Sequence, residues 1–253
     1  MGISDVAASG FGAGADDYER GRPSYPDDAV AWLVSRLGID ASSTVVDLAA
    51  GTGKLTRLLA RTGAQLVAVE PVSAMREKLV DTCPSAAVVE GTAEAMGVPD
   101  RSADAVTVAQ AFHWFDAEPA LAEIARVLRP GGSLGIVFNE RDVRVPWVAE
   151  LSKLIRWDER ERWRVPYTVE VDWAEVLAAR GPQFEPADRY DTTYRQPMDV
   201  ETLVARVLST SYVAVLPADD RARLADRVRA VAEPLGPSFE LPYVTVAYAA
   251  RRR

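Results

Sequence analysis

Residues 44–70 constrain this chain more than any other stretch. Val45-Val46-Asp47-Leu48 is an apolar run that breaks at Ala49-Ala50-Gly51-Thr52-Gly53, and Lys54 opens a helical pattern with Leu55, Leu58 and Leu59 on one face. A second apolar run, Leu66-Val67-Ala68-Val69, then closes on an acid, Glu70. Strand, tight turn, helix and strand in that order describe a βαβ unit, whose strands must be parallel and whose sheet must be covered on both faces. The runs are apolar on both faces, as strands between two helical layers should be.

The same alternation continues to Asn139. Strands are expected over 44–48, 65–69, 86–89, 105–109 and 133–138, and a helix carries Leu121, Ile124, Ala125 and Leu128 on one stripe until Arg129-Pro130-Gly131-Gly132 stops it. Past Asn139 the regularity ends. Helical patterns fall at 145–155, 173–179, 200–209 and 221–232, and two late strand patterns, 184–194 and 243–249, alternate as antiparallel strands do. The expected organisation is one domain: a leader and lid helix over 1–43, a cofactor-binding core over 44–142, and acceptor-recognition insertions with the last two strands over 143–253. The first 14 residues, rich in Gly, Ala and Ser, lack the pattern of a signal peptide and are expected to be a mobile leader.

Charge and cysteine usage exclude several classes. Lys and Arg total 29 against 37 Asp and Glu, a net charge of -8, and the one dense basic run is Arg251-Arg252-Arg253, expected to be a solvated tail. A nucleic-acid partner is therefore not expected. No window has membrane-spanning length, and a single cysteine, Cys83, permits neither an intrachain disulfide nor a thiolate metal cluster. No metal constellation stands out, since pairs such as Asp158-Glu159 suit a charged helix face. A cytoplasmic protein, monomeric or homodimeric, acting on a small molecule is the expectation.

The turn after the first strand has the chemistry of a cofactor loop. Small residues let backbone approach a ligand, and free amides at a helix start favour negative groups. An acid at the end of the second strand, Glu70, suits the vicinal hydroxyls of a ribose. A nicotinamide-dependent oxidoreductase would use the same acid, but its loop carries a third glycine that Lys54-Leu55-Thr56 does not supply. Asp47 is placed to order the loop amides or meet an ammonium group.

Those residues resemble the first two motifs of the class I S-adenosylmethionine-dependent methyltransferases. Ala49 stands where that family often has a glycine, a departure expected to be harmless if the backbone there avoids positive φ. The likeness extends through Gly91-Thr92-Ala93-Glu94-Ala95-Met96, Gln110-Ala111-Phe112-His113-Trp114-Phe115 and Leu128-Arg129-Pro130-Gly131-Gly132, covering about 18–142. With Tyr18, Arg22, Pro23, Tyr25 and Pro26, it is similar to the type 11 branch that holds trans-aconitate methyltransferase-like proteins.

The resemblance implies a Rossmann-like seven-stranded, mostly parallel sheet with helices on both faces and a helical substrate-binding insertion. It implies S-adenosyl-L-methionine as cofactor, with S-adenosyl-L-homocysteine as product. Arg22, Asp47, Ala49, Gly51, Thr52, Gly53, Glu70, Pro71, Met75, Thr92, Ala93, Glu94 and Gln110 then form the cofactor site, with Glu70 on the ribose, Ala93 and Glu94 beside the adenine, and Gln110 near the methionine part. Tyr18, Tyr25, His113, Trp114, Asn139 and Trp147 are the candidate acceptor residues.

The expected reaction is methyl transfer by in-line displacement to a carboxylate, hydroxyl or thiol. His113, the only histidine, is the candidate general base, with a structural or orienting role as its alternative. Trp147, Trp157, Trp163 and Trp173, interleaved with arginines, are expected to belong to a cover over the acceptor pocket. Two rivals remain at this point: a nicotinamide-dependent oxidoreductase, and a binding module that keeps the cofactor but has lost the chemistry.

Overall fold

The computed structural model describes residues 19–155, 171–214 and 216–253. Seven strands form one sheet: β1 (Thr44–Leu48), β2 (Gln65–Val69), β3 (Ala87–Val89), β4 (Ala103–Ala109), β5 (Leu128–Arg141), β6 (Asp188–Met198) and β7 (Phe239–Arg251), in the order β3-β2-β1-β4-β5-β7-β6. The first five pair in parallel, and β7 runs antiparallel to both β5 and β6. The strand order reverses between β1 and β4, and a crevice opens at such a switch point beyond the carboxyl ends of the strands.

Successive residues of a strand point to opposite faces, so an apolar run needs two cores. Val45 packs on one side with Leu33 and Leu37 of α1 (Asp27–Leu37) and Leu55, Leu58 and Leu59 of α2 (Lys54–Leu59). Val46 packs on the other with Leu121 and Ile124 of α4 (Ala117–Val127) and Leu177 of α6 (Trp173–Arg180). Between them in sequence, α3 (Ser73–Thr82) sets Leu79 against Ala68 of β2. A separate core joins α5 (Pro146–Leu154), α7 (Val200–Leu208), α8 (Ser211–Ala214) and α9 (Ala218–Ala232) to Met198, Leu241 and Tyr243 of the antiparallel strands. This helical cap is the expected insertion, split between the segment before β6 and the connection from β6 to β7.

Three expectations are corrected. The strand expected over 184–194 begins at Asp188 and runs to Met198, because Pro186 has no N–H to donate to a ladder; Phe184 makes only an isolated bridge to Arg252. Pro197 is tolerated because β6 is the sheet edge. The fifth strand starts at Leu128, directly where the helix stops, and pairs with β7 as far as Arg141 opposite Tyr243. The terminal arginines are not a solvated tail: Arg251 ends β7 and donates to the Gly131 carbonyl, Arg252 donates to that of Leu128, and Arg253 to that of Pro182.

Candidate active site

The turn after β1 is a stack of left-handed residues. Ala49, Gly51 and Gly53 have φ of 54°, 58° and 84°, and the chain enters α2 from Gly53. Glycine accepts this conformation freely, whereas alanine pays about 1–2 kcal/mol. The proviso for Ala49, that its backbone avoid positive φ, therefore fails: a strained alanine sits at the sheet end of the loop.

Glu70 locks this turn to the next. Its Oε2 accepts from the Gly51 amide at 2.9 Å and its Oε1 from the Val72 amide at 2.9 Å, which ties the loop after β1 to the loop after β2. The side chain is buried, and burial raises its pKa against the pull of those two amides. Each carboxylate oxygen keeps further acceptor capacity for a hydroxyl.

A cavity of about 430 Å³ opens at this corner. Leu48 and Ala49 at the end of β1, Pro71 and Val72 after β2, Thr92, Ala93 and Glu94 after β3, and Trp114 and Phe115 after β4 form its walls. Its size lies in the range of small-molecule sites, its walls are mostly apolar, and Glu70 directly precedes the wall residues Pro71 and Val72. Ala49 also borders a second, smaller cavity of about 30 Å³ whose walls include Arg22, Tyr25, Thr52 and Gln110. Gln110 is itself left-handed, with φ 57°, and its Nε2 donates to the Asn139 carbonyl. Asn139 then donates from Nδ2 to the Ser24 carbonyl at 2.8 Å and accepts from the Thr245 hydroxyl, so it holds the segment carrying Arg22 and Tyr25 over the loop.

A family model described as a methyltransferase domain matches residues 46–136. An uncharacterized methyltransferase of Mycobacterium tuberculosis is 40% identical over 93% of this chain and 93% of its own length. An uncharacterized methyltransferase-like protein of Schizosaccharomyces pombe is 33% identical with the same coverage, 93% of each chain. The chain belongs to the S-adenosylmethionine-dependent methyltransferases. The fold agrees: a type II methyltransferase structure from Anaeromyxobacter dehalogenans superposes with a TM-score of 0.65 at 24% identity, over 91% of this chain and 97% of that one. A geranyl diphosphate methyltransferase solved with S-adenosylmethionine gives 0.51 at 16%, over 90% and 85%. The nicotinamide-dependent rival falls with the family assignment.

In this methyltransferase the expected cofactor residues divide into two groups. Pro71, Thr92, Ala93 and Glu94 line the larger cavity and Arg22, Thr52 and Gln110 the smaller, while Gly51, Gly53 and Glu70 shape the turn between. Asp47 and Met75 are elsewhere. Asp47 does not reach a loop amide or an open site: it lies under the loop, 1% exposed, accepting from the hydroxyls of Thr56 at 2.6 Å and Thr107 at 2.9 Å. Burial lifts its pKa to about 6. Met75 is buried in α3.

The acceptor candidates are more scattered. Trp114 and Tyr25 line the cavities, whereas Asn139 is a buried brace with both ends of its amide engaged, not a residue of the mouth. Trp147 stacks edge-on against Phe239 in the cap, and Trp173 packs against Phe112 and Phe138 in the main core. Neither tryptophan lines the two cavities. Tyr18, Trp157 and Trp163 lie outside the described residues. His113 follows β4 in a short 3-10 turn, flanked by the rings of Trp114 and Phe138, with its Nδ1 buried and lacking a hydrogen-bond partner. Burial first, then the nearby Arg22 charge, pushes its pKa down to about 3, so it is neutral at pH 7.

Glu19 went unnoticed in the sequence. Its carboxylate accepts from the Thr52 hydroxyl at 2.5 Å and from Arg57 at 2.8 Å, and its backbone carbonyl accepts from Lys54 Nζ at 2.8 Å. It fastens the segment before α1 to the loop after β1 and the start of α2. No sequence pattern could single it out, because its partners come from a loop more than thirty residues away. Among the described residues no cluster of potential metal ligands occurs, and no helix is long and apolar enough to cross a membrane.

Proposed function

We propose that this methyltransferase transfers the methyl group of S-adenosylmethionine to a small organic acceptor in the cytoplasm. The observation that carries this reading is the cavity of about 430 Å³ at the switch point, lined by Pro71 and Val72 directly after Glu70 and by Trp114 and Phe115 after β4. Its residues fit the cofactor: an apolar slot between Val72, Ala93 and Phe115 suits a flat base, and the buried Glu70 suits two ribose hydroxyls. Gln110, Thr52 and Arg22 face the smaller cavity, where the amino-acid end would lie. Bound there, S-adenosylmethionine would supply an electrophilic methyl group to an acceptor lone pair, with S-adenosylhomocysteine as the leaving product.

What the chain itself contributes is positioning in a water-poor site. A neutral imidazole whose conjugate acid has a pKa of about 3 is a weak proton acceptor at pH 7. We assign His113 a hydrogen-bonding role, its buried Nδ1 accepting from an acceptor O–H or S–H, in preference to full proton abstraction. A carboxylate acceptor, already ionised and carrying no proton, would instead need nothing from His113. The type 11 placement near trans-aconitate methyltransferase-like proteins rests on Arg22, Pro23, Tyr25, Pro26 and the string from Gln110 to Phe115.

Calorimetry with S-adenosylhomocysteine and with NADH, followed by a radiolabelled methyl-transfer screen over acids, phenols and thiols, tests the reading. Binding of the first ligand alone, with labelled product from at least one class, is the expected result. Tight NADH binding, or no labelled product in a broad library, would overturn it. With an acceptor in hand, His113→Gln should keep turnover within about tenfold, since the amide oxygen still accepts a hydrogen bond worth about 1 kcal/mol. A loss of a thousandfold would restore His113 as the base.

A further inference from the structure

Arg206 stands in the last turn of α7, 6% exposed. Its Nε donates to the Tyr243 hydroxyl at 3.0 Å; Tyr243 donates on to Gln196 Oε1 at 3.1 Å, and Gln196 Nε2 donates to the Gly21 carbonyl at 3.1 Å. That relay contains no negative charge. Among the described residues no acidic side chain pairs with Arg206, and the two terminal nitrogens of its fork have no acceptor. One helical turn further on, Thr210 is equally buried, and its hydroxyl has no hydrogen-bond partner.

The tips of the Arg206 fork reach solvent with no acceptor from the protein, so they are open to a ligand, whereas the Thr210 hydroxyl is buried without a partner. Buried polar groups are otherwise almost always satisfied.

The same helix end meets the cofactor side of the molecule. Arg22 donates from Nε to the Ser209 hydroxyl at 3.3 Å and from Nη2 to the Ser209 carbonyl at 3.1 Å, while its side chain also borders the cavity shared with Thr52 and Gln110. Gly21 makes this approach possible: a Cβ there would lie 2.3 Å from the Arg206 amide nitrogen.

We propose that the C-terminal turn of α7 is an anion subsite, in which Arg206, Thr210 and Arg22 hold the carboxylate or phosphate group of the methyl acceptor. The inference rests on the acceptor reading above and narrows it to anionic acceptors. A guanidinium fork matches the planar pair of oxygens of either group bidentately, and the Thr210 hydroxyl adds a third donor. The anion would supply the charge that the folded chain omits.

The test uses the full chain saturated with S-adenosylhomocysteine. Succinate and glycerol 3-phosphate are titrated in separate calorimetric runs at constant ionic strength, with dimethyl succinate and glycerol as neutral controls. Saturable binding of one anion and of neither control is expected, and the anion that binds identifies the group. Arg206→Met should weaken that binding by about thirtyfold or more, and Thr210→Val by about fivefold. Because Arg206 has no acidic partner to leave stranded, the melting temperature of Arg206→Met should stay close to that of the unaltered chain. No binding by either anion overturns the inference, as does binding that survives Arg206→Met. The S-adenosylhomocysteine titration reads the cofactor site separately: its failure overturns the proposed function, whereas normal cofactor binding without any anion response overturns the subsite alone.

Discussion

The cofactor corner and the helical cap differ in how they treat buried polar groups. At the corner every charged group has partners: Glu70 holds the amides of Gly51 and Val72, Asp47 holds two threonine hydroxyls, and Glu19 holds Thr52 and Arg57. In the cap, Arg206 lacks a carboxylate and the hydroxyls of Thr210 and Ser152 lack any partner among the described residues. One region is wired before its ligand arrives, and the other is left with donors in hand. Preorganised sites lose little on binding, whereas a region with unmet donors depends on its ligand for part of its stability.

Four measurements sharpen or break that contrast. The largest effect is expected for Glu70→Ala, which strands two amides and removes the proposed ribose acceptor: S-adenosylhomocysteine should bind about a hundredfold more weakly by calorimetry, from losses of about 1.5–3 kcal/mol per hydrogen bond to a charged group. A change within threefold would reduce Glu70 to a brace of the loop. Next comes Gly21→Ala, whose added carbon meets the backbone of α7 and not a movable side chain. Overpacking of that kind should cost about 2–3 kcal/mol in urea unfolding, with Arg22 displaced from Ser209.

Asp47 supplies a pH-dependent comparison. Its folded pKa of about 6 exceeds the ordinary 3.8, so between those values the folded chain holds a proton that the unfolded chain has released. Stability from this group is greatest at low pH, falls as pH rises through that window, and stays low above it. Asp47→Asn lacks the penalty, so its stability relative to the unaltered chain should grow by about 2 kcal/mol between pH 4.5 and pH 7 in paired urea melts. A constant difference would mean that Asp47 is ionised at both values. The smallest effect is that of Ala49→Gly, expected to raise unfolding free energy by about 1 kcal/mol through relief of the left-handed alanine; a lowered melting temperature would show that φ 54° carries no strain.

Sequence alone made the corner legible because its determinants are local. The run from Val45 to Glu70 contains the strand, turn, helix and acid within one βαβ unit, and the structure starts and ends β1 and β2 at the expected residues. The conformation of Ala49 was not legible, since nothing in its neighbours distinguishes a left-handed alanine from an extended one. The cap was legible as helices, but the roles of its residues were not. Trp147 and Trp173 look alike in the sequence, yet one packs on Phe239 and the other between Phe112 and Phe138. Arg206 is one of many arginines until burial singles it out, and burial is set by contacts to Gly21 and Tyr243 that lie far off along the chain.

Residues 19–22 are fastened on three sides: Glu19 to the loop after β1, the Gly21 carbonyl to Gln196 of β6, and Arg22 to Ser209 at the end of the helix that carries Arg206. One strip of chain thus touches both proposed sites, and any ligand that shifts it at one end would do work at the other. By thermodynamic reciprocity, whatever factor an acceptor applies to cofactor affinity, the cofactor applies to acceptor affinity. Donor and acceptor would then be read as a pair, and the ratio of S-adenosylhomocysteine affinities with and without saturating acceptor measures how tightly that strip couples them.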